Sequence, residues 1–368
     1  MLLAHEDGPR LKIAVVGCGN HAYRSLFPCF EYLPVDLVAV CDVDMARAKK
    51  YAAHYGAKHA CGSLREVIAA GEVQAVVISV GPKQHPDIAC EALAGGLHVW
   101  MEKPPAMRVS EVDTMIATRD KAKKNVAVGF KKMFMPAARR MKAFLDSGKF
   151  GALRTIHARF PMDVPLNGRE LLASRTTSNW INNGVHPLSL MVYFGGRPHA
   201  FSTFRAGSSG VAGTGNGGGY CVLQYPNGVV GGFHMTQGQT YAGPLERYEL
   251  ICDKGHLVLD NNVRLTVYRP GFPFDYRSGM DFTAAPEDST AIVYEPQNTL
   301  STLENKAIVL QGFMQELDHF VTVCLKNQPV TDGTLEMART VMECYEAGLI
   351  SHGEAVQLDE LPCNKERK

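Results

Sequence analysis

Leu11-Lys12-Ile13-Ala14-Val15-Val16-Gly17-Cys18-Gly19-Asn20-His21-Ala22 is the stretch on which the fold turns. Leu11 to Val16 is a short apolar, β-branched run that ends in glycine, the form of a strand buried on both faces. Gly17 to Ala22 then spells G-x-G-x-x-A and opens a helical stretch, His21 to Leu33, which Pro28 must kink or shorten. After a buried strand and at the start of a helix, this string has a physical reading. Gly17 serves the tight turn, Gly19 lets the backbone approach a pyrophosphate at the helix N-terminus, and Ala22 allows close helix–strand packing. A second buried strand, Asp36 to Cys41, ends at Asp42, 25 residues after Gly17. A carboxylate there accepts from both ribose hydroxyls of NAD and repels the 2′-phosphate of NADP. The plainer alternative is a glycine turn of another α/β fold, with Asp42 capping the next helix.

Working outward, strand and helix signals alternate through the first 130 residues. Helical spacing from Met45 to Tyr55 stops at Gly56. Ser63 and Glu66 form a capping box before Leu64 to Ala70. Ala75 to Val80, Leu97 to Met101 and Val126 to Phe130 read as strands, with helices at His85 to Ala94 and Val109 to Lys124 between them. Such βαβ units predict a doubly wound parallel sheet. After about Gly151 the rhythm changes. A helix from Pro136 to Ser147 precedes runs typical of antiparallel strands at 153–160, 200–205, 220–225, 229–235, 246–252, 256–259 and 263–268. Pro226-Asn227-Gly228 is a turn between two of them. Two helices close the chain, Leu303 to Leu325 and Leu335 to His352. Gly207 to Gly219 and Gly271 to Pro286 read as mobile loops, either of which could serve as a lid. The fold class is therefore α/β: an N-terminal doubly wound domain over 1–130, then a second α/β domain over 131–368.

The chain has 368 residues, which suits two domains. Lys plus Arg total 38 against 37 acidic residues, so no electrostatic footprint for nucleic acid or an anionic membrane is expected. No apolar run approaches the roughly 20 residues of a spanning helix. The start, with His5, Glu6 and Asp7, lacks the apolar stretch of a signal peptide. Ten cysteines without a C-x-x-C pair read as reduced thiols, so a cytoplasmic location is expected. The histidines show no ligand spacing joined to acids, and no metal is expected. A G-x-S-x-G elbow and a Walker loop are both missing from the sequence.

Glu102-Lys103-Pro104-Pro105, together with the glycine turn, resembles the glucose–fructose oxidoreductase/inositol dehydrogenase (Gfo/Idh/MocA) family. Val80-Gly81-Pro82-Lys83-Gln84-His85 is similar to that family's T-P-N-x-x-H loop, with His85 kept outright. Gly129 to Pro136 is similar to its G-F-x-x-R-F-x-P stretch, with Met133 where arginine is usual. Asn182-Asn183-Gly184-Val185-His186-Pro187, after Trp180, resembles D-x-G-x-H-P. The resemblance covers nearly the whole chain. It implies a Rossmann domain followed by a domain with a large, mostly antiparallel open sheet, whose outer face makes a homodimer or homotetramer. It also implies a cofactor site of Gly17, Gly19, Asn20, His21, Asp42, Val80, Pro82, His85, Glu102 and Lys103.

Oxidising a secondary alcohol needs a hydride acceptor, a base for the hydroxyl proton and a group that stabilises the alkoxide. Lys103 lies at the carboxyl end of a parallel strand, where ligands of open α/β sheets bind. The resemblance makes it the cationic partner of the reacting oxygen and makes His186 the proton acceptor. Read plainly, Lys103 is a solvated lysine and His186 a core histidine at a helix start. Asn182 departs from the family's aspartate. It can accept from the imidazole but cannot stabilise an imidazolium by charge. The same exchange in a serine protease costs about four powers of ten in turnover. Asn182 therefore either orients His186, contacts substrate, or marks loss of the redox step. Lys131, Trp180, Asn182 and Asn183 are candidates for substrate contact. Lys132, Arg139 and Arg175 could join Lys131 around an acidic substrate, but read more simply as solvated faces.

The reading that follows is an NAD-dependent oxidoreductase acting on a sugar, cyclitol or derivative, a small-molecule partner. Two alternatives stay open: a hydrolase or lyase that holds NAD and recycles the hydride, and a sensor of NAD(H) or sugar without turnover.

Overall fold

The structure, a computed structural model, describes residues 8–206, 218–236, 239–240, 242–268, 291–296 and 306–365. The loop expected at 271–286, and that at 207–219 except for its last two residues, lie outside them. The chain divides into two units, Met1–Phe134 with Leu303–Met342 and Met135–Thr302 with Glu343–Lys368.

In the first unit β1 (Leu11–Val16) is followed by a π-helical turn (Ala22–Leu26) and a short α1 (Phe27–Phe30). Then come β2 (Val35–Cys41), α2 (Met45–Tyr55), β3 (His59–Cys61), α3 (Leu64–Ala70) and β4 (Ala75–Ile78). α4 (His85–Ala94), β5 (His98–Glu102), α5 (Val109–Ala122) and β6 (Val126–Gly129) complete the alternation. All strand pairs are parallel, in the order β3-β2-β1-β4-β5-β6. The order reverses beside β1, which opens a crevice outside the carboxyl ends of β1 and β4. β4 is buried along its whole length, as a strand covered on both faces must be. Local chemistry sets the helix ends. Gly56 closes α2 in the left-handed conformation, φ +72°. Ser63 Oγ accepts the Glu66 N–H at the start of α3, while the Glu66 carboxylate accepts the N–H of Gly62 at 3.0 Å.

One expected helix is corrected. His21 to Leu33 is a π-helical turn running into α1, which stops at Phe30. Pro28 has no N–H to give, and its ring crowds the carbonyl four residues back, so the wider turn replaces a regular α-helix.

The second unit begins with α6 (Pro136–Asp146), β7 (Leu153–Phe160) and α7 (Gly168–Ser174). A second π-helical turn (Trp180–Gly184) leads into α8 (Val185–Gly195). β8 (Ala200–Arg205), β9 (Gly219–Gln224), β10 (Val230–Met235), β11 (Arg247–Cys252), β12 (His256–Asp260), β13 (Arg264–Tyr268) and β14 (Ala291–Tyr294) follow. Gly228, φ +80°, turns β9 into β10. The chain then leaves this sheet. α9 (Lys306–Leu310) and α10 (Phe313–Leu325) belong to the first unit, and the division between units falls within α11 (Leu335–Ile350). β15 (Val356–Gln357) and α12 (Pro362–Lys365) end the described chain. The second sheet has nine strands in the order β14-β13-β12-β11-β7-β10-β9-β8-β15, mostly antiparallel, with β7 and β10 parallel. One face is core, with Ile156, Ala158, Phe233, Tyr248 and Leu250 buried. The other leaves Phe204 and Val230 about half exposed.

Residues 303–342 cluster with the first unit and residues 343–368 with the second. The last long stretch of chain does not stay with residues 131–302. α10 carries Phe313, Leu317, Phe320 and Val321 into the same buried cluster as Leu11, Ile13, Val15 and Phe27. Without that helix these side chains would face water. Gly312, φ +85°, breaks the helix expected from Leu303 to Leu325. Among the described residues no helix is long and apolar enough to cross a membrane.

Candidate functional site

The glycine turn is built by backbone contacts. Gly17 N–H donates to Cys41 O at 2.8 Å, which ties the end of β1 to the end of β2. Gly17 has φ +90°, and a Cβ there would lie 2.3 Å from Ser79 O, so only glycine fits. Around Gly19 a Cβ would meet nothing within 4 Å; this is the open approach that a pyrophosphate needs. Asn20 and His21 are exposed at the helix start. A cavity of about 390 Å³ lies beside the turn, lined by Gly17, Gly19, Asp42, Val43, Arg47 and Val80. Pro82 is half-buried in the turn before α4.

Asp42 is nearly buried. Its Oδ2 accepts the Cys18 N–H at 2.8 Å and its Oδ1 the Asp44 N–H at 2.9 Å. Arg47 Nη1 lies 3.3 Å from both oxygens. Burial, with Asp42 nearby, pushes the Cys18 thiol up to about 12, so it adds no charge beside the cofactor. The set fits NAD: a turn open at Gly19, a helix start, and a carboxylate at the end of the second strand.

At the carboxyl end of β5 the structure brings together His21, Glu102, Lys103 and Lys131. His21 Nε2 is 2.7 Å from Glu102 Oε1, and Glu102 Oε2 accepts the Lys103 backbone N–H at 3.1 Å. Burial lowers the Lys103 pKa, and Glu102 and Glu316 oppose that fall. Lys131 Nζ donates to Gln311 Oε1 at 2.8 Å and sits 4.1 Å over the Phe313 ring. Burial pulls its ammonium down to about 8. His85 is fully buried, and its Nδ1 donates to Pro104 O at 2.7 Å. Through that bond it steadies the backbone just beyond Lys103.

In the second unit Asn182, Asn183 and His186 stand on one helical run, the π turn and α8. His186 is 8% exposed, while Asn182 and Asn183 face solvent. Asn183 Nδ2 donates to Asn179 Oδ1. Trp180 is fully buried, its Nε1–H donating to Tyr345 O at 3.0 Å and its ring stacked near Phe233. The indole packs on Gly184 and Gly348, where a Cβ would come within 2.7 and 2.6 Å of it. Trp180 is thus a core residue with no surface left for a substrate, against expectation. Lys132 is buried in the first unit. Arg139 lies near the Tyr193 ring in the second unit, where Arg175 ends α7. A cavity of about 940 Å³ in the second unit, bordered by Arg159, Phe204 and His234, holds none of the candidate residues. Among the described residues no group of three His, Cys, Asp or Glu side chains could hold a metal ion.

Two site residues escaped the sequence reading. Arg47 is one turn into α2 and carries no motif. Glu316 lies on the apolar stripe of α10, and an acid at that spacing was the available signal.

Residues 11–130 match the family model described as an oxidoreductase family with an NAD-binding Rossmann fold, and residues 138–258 match the GFO/IDH/MocA C-terminal domain. Trans-1,2-dihydrobenzene-1,2-diol dehydrogenase of Sus scrofa is 28% identical over 200 residues, 54% of this chain and 58% of that protein. Inositol 2-dehydrogenase of Burkholderia multivorans is 32% identical over 157 residues, 40% of this chain and 44% of that protein. The chain spans about half the length of the curated relatives it matches. In fold it is similar to levoglucosan dehydrogenase, solved with NADH and levoglucosan, at TM-score 0.77 and 13% identity over 95% of this chain and 100% of that one. An Agrobacterium radiobacter oxidoreductase, solved with NAD+, L-tartaric acid and magnesium, gives TM-score 0.77 and 17% identity over 95% and 98%. The glycine turn, Asp42, the Glu102-Lys103 strand end and both matched domains lead to one assignment: the chain belongs to the Gfo/Idh/MocA oxidoreductase family, with NAD as the cofactor of its Rossmann domain.

Proposed function

We propose that the protein is an NAD-dependent dehydrogenase that oxidises a secondary alcohol of a sugar, cyclitol or related diol. The observation that carries this is Lys103, a partly buried ammonium at the carboxyl end of β5, set beside the glycine turn and anchored through Glu102 and His21. Bound NAD supplies the hydride acceptor. The Lys103 ammonium donates to the reacting oxygen and stabilises the charge that grows there. The His186 imidazole takes the hydroxyl proton, and Asn182, four residues earlier on the same helical run, orients it. The relatives named for diol and inositol oxidation support the substrate class. The half-exposed Phe204 and Val230 on the open sheet support a homodimer or homotetramer built on that face.

The test is NADH formation over a panel of sugars, cyclitols, diols and sugar acids. Wild type turns over at least one class. Lys103→Met loses about a hundred- to a thousandfold in kcat/KM, and His186→Ala at least about a hundredfold. Activity that survives both substitutions removes the proposed site. Substrate consumed without NADH points to a recycled hydride, and NADH binding without any turnover points to a sensor.

A further inference from the structure

α10 carries an acid on its buried face. Phe313, Leu317 and Phe320 are buried at helical spacing, and Glu316 sits among them at 1% exposure. Both of its carboxyl oxygens are shut off from solvent and have no hydrogen-bond partner among the described residues. An ionised carboxyl so placed is unfavourable unless nearby charge compensates it.

The surroundings supply that charge. α10 packs against β1, β5, β6, α1 and the turn at Lys131–Phe134. Glu102 and Lys103 face Glu316 from the end of β5, Lys131 from the turn and Cys29 from α1. Lys132 adds charge behind Lys131. β1 and β6 present Ile13, Val15 and Ala127 to the same cluster. On α10 itself Asp318 and His319 follow, the latter against Phe134. Glu102 already accepts the Lys103 N–H and pairs with His21. Glu316 has no such bonds over which to spread its charge. Burial and Glu102 raise the Glu316 pKa well above the usual carboxylate range, while the two lysines oppose that rise.

We propose that Glu316 is a positioning residue for Lys103, whose carboxylate acts through space to hold the Lys103 ammonium charged on the alkaline side of neutrality. The inference rests on the reading that Lys103 meets the reacting oxygen, which needs a donor there. Negative charge on the Glu316 carboxyl favours the ammonium form of Lys103, and the ammonium in turn favours the carboxylate.

The experiment compares wild type with Glu316→Gln by two readouts. One is the pH profile of kcat/KM. The other is the 13C titration of lysine labelled at Cε, with the Lys103 resonance assigned through Lys103→Arg. In Glu316→Gln the loss of kcat/KM grows with pH, about tenfold larger at pH 9 than at pH 7. The Lys103 midpoint moves to lower pH, and Glu316→Asp restores the alkaline activity. Should the Gln variant not fold, Glu316→Met removes the same carboxyl without leaving a buried amide. A loss equal at every pH, as a purely structural role would give, overturns the inference, and so does an unchanged Lys103 midpoint. If wild type oxidises no alcohol, the reading of the site fails on its own, and the Lys103 midpoint still decides the role of Glu316.

Discussion

Removing the Asp42 carboxylate should change both cofactor choice and stability, by separable amounts. Asp42→Ala orphans the buried Cys18 N–H, which now donates at 2.8 Å, at a cost of about 1–3 kcal/mol. The Arg47 contact is long, 3.3 Å, and its guanidinium is 44% exposed, so its loss adds about 0–1 kcal/mol. A stability loss of about 1–4 kcal/mol in a chain of 368 residues lowers Tm by roughly 1–5 °C. Cofactor choice follows the charge. A carboxylate about 5 Å from a 2′-phosphate repels it by about 1–3 kcal/mol per unit charge at effective dielectric constants of about 80 down to 20. Wild type should therefore bind NADH at least about tenfold tighter than NADPH, a gap of about 1.4 kcal/mol. In Asp42→Ala the repulsion disappears and Arg47 is released to meet the phosphate. NADPH should tighten by about tenfold or more while NADH weakens, bringing the two to parity or beyond. Arg47→Ala in the same background should take back most of the NADPH gain. Titration by tryptophan fluorescence or calorimetry, below the lowered Tm, reads both constants. Equal affinities in wild type, or a ratio unmoved by Asp42→Ala, would refute the assignment of Asp42.

Asn182→Asp should preserve or raise kcat, because a carboxylate favours the imidazolium that forms on His186; a fall in kcat/KM of more than about threefold, measured by NADH formation, would instead make Asn182 a substrate contact. Burial pulls His98 down to about 4 from 6.5, and its Nδ1 accepts the Asn125 N–H at 2.9 Å, a bond that protonation destroys. Since the unfolded chain takes up this proton first, His98 contributes stability above pH 6.5 that is lost as pH falls toward 4, about 1–2 kcal/mol after allowing for partial exposure. Urea melts near pH 7 and pH 4.5 should show a smaller acid loss in His98→Gln, and an equal loss would exclude this histidine. Light scattering at micromolar concentration should give two or four times 40.2 kDa, and a monomer would count against the sheet-face assembly.

The cofactor half of the site was legible because its chemistry is local. Strand, glycine turn, helix and acid follow one another within 32 residues, Leu11 to Asp42, and each is constrained by the next. β1, α2, α3 and α4 begin or end where their caps, glycines and apolar runs put them. The early π turn was not legible in this way. Pro28 announced a defect in the helix, but nothing local says whether the backbone kinks, stops or widens, since that depends on how Leu26 and Phe27 fill the cluster against α10. Nor was the burial of Trp180, whose partners Gly348 and Tyr345 lie more than 160 residues away.

The same physics explains why the pattern of α10 does not say which unit it joins. An amphipathic helix states that it needs a partner and not which one. Phe313, Leu317 and Phe320 would serve equally against either sheet as a pattern, and only their shape against Ile13, Val15 and Phe27 decides. Once α10 is placed on the first unit, Glu316 follows it to the end of β5, within electrostatic reach of Glu102, Lys103 and Lys131. Without those two ammoniums the same acid would be a buried carboxyl with no compensating positive charge. The assignment of α10 and the presence of an acid on its buried stripe thus support each other.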